Sequence, residues 1–244
     1  MWLLLAGFYG NLFATSDREG WTVKSILCFG DSNTWGFMPH ADRPPVKADN
    51  RYPFDVRWPG RLEGMLGKGW RVIEEGLNGR TTMFDCFMEE NRNGLKAIDV
   101  CLLTAMPADL VILMLGTNDS KRAFDKPPFV IAHGVQRLIS RISGGDYGYG
   151  PGGKVPEILV VSPIRMTEGV LTSWLSDEFD EASIARCNQL SGFIERVAAK
   201  SGARFLDAGA TISADVSDGI HMNAEGHARM AELIYAKVRE IFPE

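Results

Sequence analysis

The sequence predicts an α/β protein built on a five-stranded parallel sheet with helices on both faces, and three observations carry that prediction. Short apolar runs of strand length recur at residues 25–29, 70–74, 110–115, 158–161 and 203–206. Among them lie stretches at 128–143, 177–201 and 224–241 whose apolar residues return every three or four positions, the period of an amphipathic helix. The third and fourth apolar runs are continuous rather than alternating, as strands covered on both faces are. Strand, helix and strand in repetition imply parallel strands joined by right-handed crossovers. The expected architecture is a three-layer α/β/α, flavodoxin-like open sheet with runs three and four at its centre. In such a sheet, ligands bind outside the carboxyl ends of the strands.

Composition agrees with a globular chain. The 244 residues are 45% apolar and 23% charged, which excludes disorder, collagen and a disulfide scaffold. With 26 basic against 31 acidic residues, a net charge of -5 and no basic cluster, nucleic acid is not an expected partner. Cys28, Cys86, Cys101 and Cys187 are scattered, without C-x-x-C or zinc spacing, and read as reduced thiols. Residues 1–24 form an apolar extension ahead of a single domain over 25–244. Its apolar stretch, residues 1–15, is too short to span a bilayer. No Lys or Arg precedes Arg18, whereas a secretory signal opens with one. A cytoplasmic protein is expected, the extension being a packing element or the product of an upstream start; export through a weak signal is the minor alternative.

Parallel strands deliver their following loops to one edge. After the first run comes Gly30-Asp31-Ser32-Asn33, after the second Gly76-Leu77-Asn78-Gly79, and after the third Gly116-Thr117-Asn118-Asp119. Asp218-Gly219-Ile220-His221 precedes the last helix and is expected at the same edge. Acyl transfer needs a hydroxyl nucleophile, a base, a carboxylate to orient the base, and oxyanion donors. Ser32 supplies the hydroxyl. His221 is the histidine placed in a polar loop beside an acid, and Asp218, three residues earlier, can reach its Nδ1 and leave Nε2 for Ser32. The oxyanion donors are the Ser32 N–H, the Gly79 N–H and the Asn118 side-chain amide, Gly79 allowing close backbone approach.

These ordered blocks resemble those of the SGNH, or GDSL-type, serine hydrolase superfamily. The resemblance implies the same three-layer fold and carries the serine, glycine, asparagine and histidine roles onto Ser32, Gly79, Asn118 and His221, with Asp218 as the triad acid. Residues 26–32, 55–58, 73–77, 114–119 and 218–221 are further similar to a bacterial arylesterase and acyltransferase branch. That similarity implies short-chain, acetyl-type esters as substrates and a homo-oligomer. Asn33 stands where the common motif has Leu, a small departure for a residue beside the nucleophile. Residues 162–169 lack the proline-rich loop of that branch.

The resulting expectation is a serine esterase that forms an acyl-enzyme on Ser32 from a small-molecule ester, with no cofactor and no metal. The alternatives are an acyltransferase using the same triad, a carbohydrate O-deacetylase, and a flavodoxin-like binding protein. A metal set of His221, His227 and Asp218 or Asp207 has the wrong spacing, since six residues separate the two histidines. His40, His133 and His227 read as surface or packing residues. Trp35, Phe124 and Ile164, together with Phe37 and Trp174, are candidates for the apolar walls of a substrate pocket. The long connection over residues 37–56 could cover the site or an oligomer contact.

Overall fold

The computed structural model describes residues 23–40, 42, 48–145 and 148–243. The extension expected at 1–24 lies outside these residues except for its last two, as does most of the stretch 41–47. Five strands, β1 (Lys24–Gly30), β2 (Trp70–Gly76), β3 (Leu110–Met114), β4 (Glu157–Val161) and β5 (Arg204–Leu206), form one sheet in the order β2-β1-β3-β4-β5. Every pair is parallel. β3 takes the centre as expected. β4 sits one strand in from the edge, and β1 holds the matching inner place on the other side, with its last five residues buried.

The described residues also form seven α-helices, α1 (Ser32–Trp35), α2 (Trp58–Leu66), α3 (Gly94–Ala105), α4 (Pro128–Ser143), α5 (Glu181–Asn188), α6 (Leu190–Lys200) and α7 (Ala224–Ile241), and four short 3-10 turns. Successive strand side chains point to opposite faces, and the core divides accordingly. Leu27, Phe29, Val111, Leu113 and Val160 pack with α3, α4 and α6, whereas Ile26, Cys28, Ile112, Leu159 and Val161 pack with α2 and α7. Each of the Val, Leu, Ile and Phe side chains among these, buried fully, contributes about 1.5–3 kcal/mol. Both faces are therefore closed, which is why these strands are apolar without alternation.

The helical stretch expected at 177–201 is shorter at its start and broken once. Asp180 caps α5 through a reciprocal capping box with Ser183, which fixes the first turn at Glu181. The chain then breaks at Gln189, and Asn188 uses its side chain to bond both the N–H and the C=O of Met166.

The α2 N-terminus is tied to α7 by a buried histidine. His227 Nδ1 accepts the Trp58 N–H at 3.3 Å, one of the donors a helix start leaves without an intrahelical partner. The Tyr52 ring packs edge-on against the imidazole. Burial, reinforced by the nearby His221, Arg57 and Arg61, pushes the His227 pKa down to about 3. The ordinary value is 6.5, so below it the unfolded chain binds a proton that the folded chain refuses. The stability from this neutral histidine is present above that value and lost as pH falls toward about 3. Denaturant unfolding between pH 4 and 6 is expected to show an acid-side slope steeper in the parent than in His227→Gln by about 1.4 kcal/mol per pH unit; equal slopes would refute the assignment.

Candidate active site

The strand register sets the site. Gly30 at the end of β1 pairs with Gly76 of β2 and Met114 of β3, so the three loops after these strands leave the sheet side by side. Asp31 caps α1, its Oδ1 accepting the Asn33 N–H at 2.9 Å, and this makes Ser32 the first helical residue. A Cβ at Gly30 would come within 2.0 Å of Thr34 Oγ1, so only glycine lets the chain turn this tightly into α1.

Asp218, Ser32 and His221 meet in one chain of hydrogen bonds. Asp218 Oδ2 lies 2.7 Å from His221 Nδ1, and His221 Nε2 lies 2.9 Å from Ser32 Oγ. Asp218 Oδ1 accepts the N–H groups of Ile220 and His221 at 3.1 and 3.0 Å. Burial raises the Asp218 pKa, but the His221 charge and these hydrogen bonds outweigh it and hold the carboxyl below its ordinary value. The Phe37 ring lies 4.4 Å from the imidazole, centroid to centroid. The arrangement can pass a proton from Ser32 to His221 while Asp218 stays ionised and steadies the imidazolium.

Two further loops close the site. Asn118 opens the short turn after β3, and its Nδ2 donates to the Arg80 carbonyl at 3.1 Å, which fixes the amide and leaves its second hydrogen for the cleft. Gly79 adopts φ +76°, a left-handed conformation that favours glycine. Arg80 anchors this loop: it is buried, donates to the Gly30 and Glu75 carbonyls, and stacks 4.0 Å above the Phe29 ring. Thr82 donates from both N–H and Oγ1 to Asp119, tying the Gly79 loop to the Asn118 turn. The Asp119 carboxylate therefore joins the two loops as well as accepting a hydrogen bond from its own backbone. The N–H groups of Ser32 and Gly79 have no acceptor among the described residues.

Ser32, Gly79, Asn118 and His221 line one cleft of about 460 Å³. Phe37, Trp174 and Ile220 provide apolar walls, and Glu89, Lys121 and Glu178 a polar one, the last two forming an ion pair. Three expected wall residues lie elsewhere. Trp35 is covered by the Arg51 guanidinium at 5.0 Å, Phe124 stacks on Phe84, and Ile164 is buried in the core beside Ala208 and Ile212. Sequence reasoning missed the polar wall. Lys121 follows the Asn118 block after Ser120, but Glu178 falls at the start of the 177–201 stretch read as helix, where the chain is not yet helical, so a helical reading gave it no place at the cleft.

Asn33, taken from sequence as a minor departure, bonds the backbone on both sides of His221. The metal set is not assembled. His227 faces Trp58, Asp207 bonds Ser162, and no group of three or more metal-binding side chains forms among the described residues. His133 is exposed on α4, 3.2 Å from Gln136.

Solved structures share this fold along nearly the whole chain. An aryl esterase of M. smegmatis is 37% identical with a TM-score of 0.82, covering 90% of this chain and 100% of that one. A carbohydrate acetylesterase from Sinorhizobium meliloti is 37% identical with a TM-score of 0.79 at the same coverage. In sequence, the chain is 27% identical to an acetylxylan esterase of Xylanibacter ruminicola over 88% of its own length and 43% of that protein's. It is 29% identical to an arylesterase of Vibrio mimicus over 54% of each. The chain thus spans about half the length of these two relatives. The pattern of the GDSL-like lipase/acylhydrolase family matches residues 28–229, a span that includes every loop of the site from Ser32 to His221, and the chain belongs to that family.

Proposed function

We propose that the protein is a serine esterase acting on short-chain, acetyl-type carboxylic esters. The observation that carries this reading is the unbroken relay from Asp218 through His221 to Ser32, at 2.7 and 2.9 Å. Ser32 Oγ attacks the ester carbonyl as its proton passes to His221 Nε2. The oxyanion then meets the N–H groups of Ser32 and Gly79 and the free hydrogen of Asn118 Nδ2, donors fixed before substrate arrives. As the tetrahedral intermediate collapses, His221 returns the proton to the leaving alcohol. Water, activated by the same imidazole, releases the acid and restores Ser32.

A carbohydrate O-deacetylase is the second reading. The polar wall of Glu89, Lys121 and Glu178 offers donors and acceptors to a hydroxyl-rich leaving group, and relatives carry acetylxylan and carbohydrate acetylesterase names. The exposed side chains of Phe87, Met88 and Phe129 support a homo-oligomer. All four cysteines are free thiols, which supports a reducing, cytoplasmic setting.

Purified parent protein is expected to hydrolyse p-nitrophenyl acetate, and Ser32→Ala to lose about a thousandfold or more of that rate; an inactive parent or an equally active variant would refute the serine mechanism. Asn118→Ala is expected to lower kcat by about a hundredfold or more with little change in KM, and a rise in KM alone would remove Asn118 from the oxyanion site.

A further inference from the structure

We infer that Asn33 is a positioning residue, whose side-chain amide locks the His221 loop to the nucleophile turn. Its Nδ2 donates to the Ile220 carbonyl at 2.9 Å, and its Oδ1 accepts the Met222 N–H at 2.9 Å. One planar group thus holds the backbone immediately before and after His221, across 187 and 189 positions of the chain. The partners fix which way the amide faces, since a carbonyl can only accept and an N–H can only donate. Asn33 is 3% exposed, so bulk water does not compete for these bonds in the folded chain.

The clamp does something Asp218 cannot. Asp218 holds the imidazole through bonds to Ile220 and His221, all within a four-residue segment, so the pair would move together if the loop shifted. Asn33 sits next to Ser32 in α1 and converts the loop position into a Ser32–His221 distance. The other bond from this side, His40 N–H to Asp218 Oδ2, is longer at 3.3 Å and comes from beyond α1. A leucine at position 33 would leave an acceptor and a donor buried without partners. An aspartate would keep the Met222 bond but set a carboxylate oxygen against the Ile220 carbonyl.

The proposal rests on the esterase reading for its role in turnover, so the test separates the two. Parent and Ser32→Ala, assayed on p-nitrophenyl acetate, decide whether the esterase reading stands. The clamp is read from Asn33→Leu by three measurements. The first is kcat and KM. The second is the rate at which a fluorophosphonate labels Ser32, a step that forms the Oγ–P bond, expels fluoride and hands the serine proton to His221 without ester turnover. The third is the low-field proton resonance of the Asp218–His221 bond.

A misplaced base of this kind costs about ten- to a hundredfold. Both kcat and the labelling rate are expected to fall by that factor, with KM within about twofold and the low-field proton retained, because acid and base stay together in their own loop. A folded variant with kcat and labelling rate within about twofold of the parent overturns the clamp. Loss of the low-field proton together with activity also overturns it, since the loop has then unravelled rather than shifted. Should the parent prove inactive on the ester, the labelling rates alone decide, by the same factors. Should Asn33→Leu fail to fold, Asn33→Asp, nearly identical in shape, carries the same comparison.

Discussion

Backbone hydrogen bonds among β1, β2 and β3 end in register at Gly30, Gly76 and Met114, and three loops leave the sheet from those adjacent points. The register is held by a core closed on both faces, so the loop origins cannot slide relative to one another without exposing apolar side chains. Ser32, Gly79 and Asn118 inherit their spacing from this constraint. The loops add short-range fixings of their own, from the Asp31 cap, the Arg80 anchor and the Asp119 bridge. A rigid sheet with polar loops at one edge thus gives preset donors, which is what electrostatic stabilisation of a developing charge requires.

Three buried aspartates in this region meet different fates because their surroundings differ. Burial pushes Asp31 up to about 6 and Asp119 up to about 7, although each accepts hydrogen bonds. Asp218 is held below the ordinary value, because His221 lies against it and adds charge as well as a bond. The carboxyl held most readily ionised is therefore the one in contact with a group able to become a cation, while the other two serve as structural acceptors. Placing such carboxyls side by side raises one at the expense of another, and Asp31 does raise Asp119.

The sheet was legible in the sequence because the faces of its inner strands are buried, so β1, β3 and β4 are short, largely apolar runs, while the partly exposed edge strands β2 and β5 carry charged residues among their apolar ones. The loops at its edge were legible for a second reason: parallel strands send their carboxyl ends the same way, so Ser32, Gly79 and Asn118 could be brought together without knowing any contact. Helices α2 and α3 were not seen. Pro59, Gly60 and Gly64 interrupt the pattern of the first, and in the second Val100 and Leu103 are apolar yet exposed, which blurs the period. The cleft walls were only partly legible, since Phe37 and Trp174 reach the site while Trp35, Phe124 and Ile164 pack elsewhere. Asn33 escaped because its partners are main-chain atoms, and a backbone N–H or C=O leaves no trace in residue identity.

Ser32 and His221 stand 189 positions apart, almost the whole span of the fold. During synthesis the Ser32, Gly79 and Asn118 loops emerge before the imidazole and its aspartate, which come just ahead of α7. Until the Asp218–His221 segment docks, Ser32 is an alcohol with no imidazole beside it. A chain broken between these two segments keeps the Ser32 hydroxyl but lacks the imidazole that stands 2.9 Å from it in the folded molecule.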